Sequence, residues 1–302
     1  MSVLEKMARR YNQLYLNPET GISETGVYSD IVQYGKIPQE VSEKMQNGLS
    51  GFKCSENDKF FSEITPVGKI EILYIHERSD FERFIQIMAY RGEPVSISED
   101  LDIAEIDGIT NWQKIKNHMS DYLFNGGQNT MWRNELDNFK KNRNNYQDNI
   151  IVATESNYGG LCADQTGFSE FLWKEISLKI NIYGSCARMI RRRLYPESNN
   201  RVWEEINVDC IGMLFAINKF DPELEKKILG ISKNGYAKNG KLKVCYPGQS
   251  DKLNDISVKI IPAINKICSY VKKLIESGYT DYYDVLIKLE EKKDNFIPMF
   301  TI

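Results

Sequence analysis

The sequence predicts an α+β fold: a mixed region of strands and helices, then a mainly helical half with two antiparallel core helices. Three observations carry this. Residues 69–77 alternate well enough for a half-buried strand. Residues 149–154 (Asn-Ile-Ile-Val-Ala-Thr) form a second, more apolar strand. Two long stretches, 170–194 and 199–218, repeat apolar residues at helical spacing and end at clear stop signals.

The elements follow in order. Ser79 begins a helix, with Glu82 placed to complete a capping box, and Phe81, Phe84, Ile85 and Met88 give it one apolar face. Segments 94–98 and 102–107 are short strand candidates around an acidic turn. Thr110 with Gln113 gives another capping-box signal, and Trp112, Ile115, Met119 and Leu123 continue at helical spacing. Asn125-Gly126-Gly127 ends that helix. The polar run from Lys140 to Asp148 is the best candidate boundary. It divides the chain into an N-terminal α+β region, 1–147, and a helical region, 148–302, with one continuous domain as the alternative.

Beyond the 149–154 strand, Asn157 to Cys162 reads as a loop. Ser169 caps the next helix, with Phe168 and Trp173 placed as a hydrophobic staple. Leu172, Ile176, Tyr183, Ala187, Ile190 and Leu194 lie on one stripe of it, and Pro196 stops it. Val202, Ile206, Cys210, Met213 and Ile217 form the buried face of the second helix. Asp221-Pro222-Glu223 starts a short helix. Residues 232–250, rich in Gly, Asn and Lys, read as a long loop or a β-hairpin. An amphipathic helix over 260–275 and a last helix over 280–292 complete the chain.

Bulk properties exclude several classes. The chain has 302 residues and 41% hydrophobic content, enough for a real core. A formal net charge of −3 gives no global pull towards nucleic acid or anionic lipid, so neither is an expected partner. No apolar run approaches the roughly 20 residues that span a bilayer. The first residues are charged and lack a signal-peptide core, so a cytoplasmic protein is expected. The six cysteines, at 54, 162, 186, 210, 245 and 268, read as free thiols. The two histidines, His76 and His118, are too few for a His-rich metal site.

The candidate site lies on the paired helices. The first carries Gly184, Ser185 and Arg188; the second carries Glu205 and Asp209. Four residues advance a helix by about 400°, so Glu205 and Asp209 stand about 40° apart on one face. Arg188 is positioned to pair with one of them through charge-assisted bonds. Gly184 in mid-helix costs about 1 kcal/mol relative to Ala, which close approach of the second helix would explain. The run Arg188, Arg191, Arg192, Arg193 reads as a solvated helix end with local ion pairs.

These positions resemble the core of a gluzincin metallopeptidase. Such a core puts His-Glu-x-x-His on one helix and a Glu, often followed by an Asp one turn later, on the next. Arg-Arg-Leu-Tyr-Pro at 192–196, Asn199-Asn200 and Glu205-Ile206-x-x-Asp209-x-Ile211-Gly212 are similar to a family of bacterial proteins with that core, as are Glu93-Pro94-Val95 and Gly108-Ile109-x-Asn111-Trp112. Cys186 matches the family's cysteine. Gly184, Ser185 and Arg188 stand where the family has His, Glu and His. The resemblance therefore implies a zincin-like scaffold that lacks its zinc ligands and its general base.

The expected function is a non-catalytic, metallopeptidase-like protein that binds a peptide or a protein partner in a cleft lined by Gly184, Ser185, Arg188, Glu205 and Asp209. No catalytic residue, metal or cofactor is expected. The alternative is a hydrolase that uses Glu205 and Asp209 with an unidentified metal.

Overall fold

A computed structural model of the chain describes all residues except 40–42, 44–48, 50, 198–199, 233–234, 238–239, 249 and 301–302. Two compact units make it up. The first is Met1–Glu63 with Ile70–Thr154; the second is Ile64–Lys69 with Glu155–Ile302.

The first unit contains α1 (Val3–Arg10), α2 (Gly26–Val32), β1 (Lys59–Thr65), β2 (Gly68–Tyr74), α3 (Arg78–Met88), β3 (Ile103–Thr110), α4 (Trp112–Phe124), α5 (Trp132–Lys140) and β4 (Gln147–Ala153). The sheet order is β1-β2-β4-β3. β2 runs parallel to β4, with Glu71 opposite Ile150. β3 runs antiparallel to β4, and its register breaks between Ile106 and Ile109. The inner position of β4 explains its apolar run: Ile150, Ile151, Val152 and Ala153 are all buried. Leu73, Ile75, Ile150 and Val152 join Leu4, Met7, Phe81 and Phe84 in one core.

Two helix starts differ from the sequence expectation. α3 begins at Arg78, and Glu77, not Ser79, is its N-cap residue. Asn111, not Thr110, caps α4: its Oδ1 accepts from the backbone N–H groups of Gln113 and Lys114 at 3.0 and 3.2 Å. An Asn carbonyl reaches the same free N–H groups that the capping box would have used. Residues 94–98 form no strand.

A buried carboxylate ties this unit together. Asp148 Oδ2 accepts from Tyr11 Oη at 2.5 Å and from Asn111 Nδ2 at 2.6 Å. Lys114 Nζ lies 2.6 Å from Oδ1. Burial alone would raise the Asp148 pKa, but bonds from Lys114, Tyr11 and Asn111 hold it below the usual range. α1, α4 and β4 thus meet at one satisfied ion.

The second unit contains α6 (Ala163–Thr166), α7 (Glu170–Leu194), α8 (Arg201–Ile217), α9 (Pro222–Leu229), β5 (Ile231–Ser232), β6 (Gly235–Tyr236), α10 (Leu242–Cys245), α11 (Leu253–Glu276) and α12 (Tyr282–Glu291). The caps at Ser169 and Asp221 form as expected. The Phe168 and Trp173 rings stack, 6.2 Å between centroids. Asn200 caps α8 by accepting from the Trp203 N–H at 2.9 Å; its neighbour Asn199 lies outside the described residues. The segment 232–250 resolves into the short β5–β6 pair and α10, with 233–234, 238–239 and 249 outside the described residues. α11 starts earlier than Ile260 and keeps Pro262 inside it, at an exposed position where a freed carbonyl can turn to water.

α7 and α8 pack antiparallel, and glycines set their spacing. A Cβ on Gly212 would lie 2.6 Å from the carbonyl oxygen of Ile180. One on Gly184 would lie 2.9 Å from Val208 Cγ1. Residues 180, 184 and 188 thus meet 212, 208 and 205 in reverse order. No helix among the described residues is long and apolar enough to cross a membrane.

Candidate functional site

The site is built on α7 and α8, with two residues added from elsewhere in the second unit. Arg188 Nη2 donates to Glu205 Oε1 at 2.8 Å, and its Nε lies 3.8 Å from Glu204 Oε1. The expected Arg188–Glu205 pair therefore forms. Asp209, one turn along, takes a different cation. Lys241, the residue before α10, places Nζ 2.9 Å from Asp209 Oδ1 and 3.7 Å from Glu205 Oε2. Lys241 also donates to Tyr158 Oη at 2.5 Å, and Tyr158 donates to Asp209 Oδ1.

Local structure explains how Tyr158 arrives there. Its backbone N–H donates to Ser177 Oγ on α7 at 3.0 Å. Gly159 follows with φ +64°, a left-handed turn that packs the loop on Ile228 of α9. The Lys241 backbone N–H donates to the Ile228 carbonyl at 3.0 Å, so α9 seats both residues.

Charge balance decides the protonation. Burial would raise the Glu205 pKa, but Lys241 and then Arg188 hold the carboxyl below its usual value. Asp209 is wholly buried, and burial, with Glu205 beside it, raises its pKa against the pull of Lys241. Its Oδ1 takes bonds from both Tyr158 and Lys241, while Oδ2 has no hydrogen-bond partner among the described residues. Burial would lower the Lys241 pKa; Asp209, Tyr158 and Glu205 outweigh it and raise it. The ammonium is therefore firmly charged.

Glu225 of α9 stands behind this group. It is fully buried, and neither carboxylate oxygen has a partner among the described residues. Burial first, then Asp209, pushes its pKa well above the usual range, which favours the protonated acid. Burial, with Glu205 and Asp209 nearby, also pushes the Cys245 thiol up to about 12. A thiol at that value is a poor nucleophile.

A second buried carboxylate closes the far end of the helix pair. Glu290 Oε1 of α12 accepts from Arg191 Nε at 2.5 Å, Trp203 Nε1 at 3.0 Å and Asn207 Nδ2 at 2.9 Å. Arg191 is 2% exposed, which corrects the expectation of a solvated helix end for this residue, while Arg192 and Arg193 are exposed. Its guanidinium is a core bond between α7, α8 and α12.

The expected site residues thus divide. Arg188 and Glu205 meet, and Lys241 bridges Glu205 to Asp209. Gly184 sits against Val208 with no room for a Cβ, so helix packing accounts for it. Ser185 is 2% exposed, and its unit contains no histidine to act as its base. Among the described residues, no three His, Cys, Asp or Glu side chains are grouped to hold a metal ion.

Sequence reasoning missed Tyr158, Lys241 and Glu225. Only Glu225 left a signal: it shares a helix face with Ile228 and Leu229, which are buried. An acid on an apolar face needs a reason.

The model of a family of unknown function, DUF7005, matches residues 1–290. None of the curated proteins and none of the solved structures matches the chain.

Proposed function

We infer, from the premise that the chain belongs to the DUF7005 family of unknown function, that its two-helix site is a binding site and not a catalytic one. The proposed protein is metallopeptidase-like in the arrangement of α7 and α8, without hydrolytic activity, and it engages a peptide or a protein partner.

One observation carries this reading. Arg188 and Lys241 place two fixed positive charges on Glu205 and Asp209, the carboxylates that a gluzincin-like site would use around its metal. A divalent cation would have to displace both. No side chain here supplies a neutral imidazole ligand, and no activated nucleophile stands beside the pair.

The binding half of the reading rests on exposure. Arg188, Glu204, Glu205 and Lys241 keep between 21% and 25% of their side-chain surface open. Alternating charges of this kind suit the termini and charged side chains of a peptide, which can exchange into existing ion pairs.

Three measurements on the purified protein test the proposal: metal content, hydrolysis of a mixed peptide library, and binding to the same library. The expected result is no stoichiometric zinc, no cleavage, and retention of a peptide subset that Glu205→Gln releases. Cleavage that Glu205→Gln abolishes would overturn the reading in favour of a hydrolase. Absence of any retained peptide would end the peptide-binding half.

A further inference from the structure

A second cavity in the same unit has a different chemistry. It measures about 300 Å³ and is lined by Lys266, Ser269, Tyr270, Lys273, Lys292, Asn295 and Phe296. Four of these lie on α11 at positions i, i+3, i+4 and i+7, one continuous face of a helix. The other three come from the segment that follows α12.

Three lysines line this space, and no acidic residue does. Two other lysines of these helices have ion-pair partners. Lys272 pairs with Glu276 at 3.8 Å, and Lys288 pairs with Glu291 at 2.7 Å. Lys273 and Lys292 have no ion-pair partner among the described residues. Lys266 donates to the Asn295 carbonyl at 3.3 Å and stands 5.4 Å over the Phe296 ring. Among the described residues, its charge is met by a neutral oxygen and a π face.

The apolar wall is fixed. Phe296 is 3% exposed and stacks on Trp203 at 5.3 Å, while Tyr270 leans on Phe296 at 6.1 Å. A solvated lysine face needs no such wall. Lysines without an ion-pair partner among the described residues, beside a half-buried tyrosine ring that Phe296 backs, are the two halves of a site for an anion that carries a ring.

We propose that this cavity binds a small phosphomonoester bearing a flat ring, with the phosphate among Lys266, Lys273 and Lys292 and the ring against Tyr270, which Phe296 backs. Lysine suits a phosphate as a point charge that needs no bidentate geometry. Ser269 and Asn295 supply further polar atoms at the edge. The site is independent of the α7–α8 charge cluster, so it stands or falls apart from the binding role proposed for that cluster.

The test is calorimetric titration of the whole chain with adenosine monophosphate, adenosine and inorganic phosphate. Adenosine monophosphate should saturate one site at a sub-millimolar concentration. Adenosine and inorganic phosphate should each bind at least about tenfold more weakly, because each lacks one half of the ligand. Raising salt should weaken the complex. Lys273→Ala with Lys292→Ala should weaken adenosine monophosphate by about tenfold or more. Both lysines are exposed, so the fold should survive; Lys273→Gln alone is the check if it does not. Equal affinity for phosphate and adenosine monophosphate, an unchanged affinity in the lysine variants, or no saturation at all would each overturn the proposal.

Discussion

Two aspartates in this chain meet a tyrosine and a lysine each, and their pKa values shift in opposite directions. Asp148 of the first unit and Asp209 of the second are both buried, and each meets a tyrosine hydroxyl and a lysine ammonium. Asp148 also takes a bond from Asn111, and its partners are shared between its two oxygens. Its pKa is lowered. Both partners of Asp209 crowd onto one oxygen, and two more acids, Glu205 and Glu225, stand close enough to act on it. Its pKa is raised. Partner identity does not decide whether a buried carboxylate is a finished structural bond. What decides is whether both oxygens are satisfied and whether the neighbours add charge of the same sign.

The largest expected effect comes from removing Lys241. Lys241→Met strips the hydrogen-bonded cation from a fully buried acid that still faces Glu205. That should cost about 3–5 kcal/mol in denaturant unfolding. A loss below about 1 kcal/mol would mean that Asp209 simply takes up a proton, and the cluster would then be no ion pair.

Acid and base titration should separate the two units next. A carboxyl whose folded pKa exceeds its unfolded value stabilises the fold fully below the unfolded value. It loses that contribution as pH rises to the folded value. Glu225 is such a group, with Asp209 acting in the same direction. Asp148 runs the other way: its contribution is full above the unfolded value and disappears as pH falls through its lowered pKa. Glu225→Gln should therefore gain on the wild type as pH rises from about 4.5, by at most about 1.4 kcal/mol per pH unit. Asp148→Asn should lose its disadvantage on acidification instead. Parallel stability curves for wild type and Glu225→Gln across neutral pH would refute the neutral buried acid.

A smaller effect belongs to the outer pair. In a double-mutant cycle, Arg188→Ala and Glu205→Ala should couple by about 1 kcal/mol, because both are partly exposed and Lys241 also reaches Glu205. Additive losses would show that the pair contributes nothing.

The smallest effect should be Lys114→Met. Lys114 is 38% exposed, and Asp148 keeps Tyr11 and Asn111 without it, so about 1 kcal/mol or less is expected. A loss matching that of Lys241→Met would erase the contrast between the two aspartates.

How much of this was legible in the sequence follows the range of the interactions. The paired helices announced themselves because the Ser169 cap, the Pro196 stop and the apolar stripes act within a few residues. The Arg188–Glu205 pair was legible because helical spacing and the resemblance placed both on facing sides. Lys241 and Tyr158 were not. Lys241 meets Asp209 across 32 residues, from a Lys-rich stretch that reads as a loop, and Tyr158 meets it across 51. Nothing local distinguishes Lys241 from its neighbours. β1 went unseen for a different reason: most of its residues are exposed or half-exposed at the sheet's edge, so no apolar period marks it. The capping boxes expected at Ser79 and Thr110 were misplaced, by two residues at α3 and by one at α4. At α4 Asn111, a stronger cap, took the role.

The pairing of β2 with β4 sets a schedule for synthesis. Between the two strands lie α3, β3, α4 and α5, and β3 docks on β4, not on β2. The bond from Tyr11 to Asp148 closes 137 residues of chain. On the ribosome, β2 has β1 beside it, but its inner edge and the whole of β3 have no partner strand until β4 leaves the exit tunnel. Such long loop closure is slow and leaves apolar β2 and α3 waiting. The chain's first unit is therefore the later of its own parts to settle, held open until residues near its far end arrive.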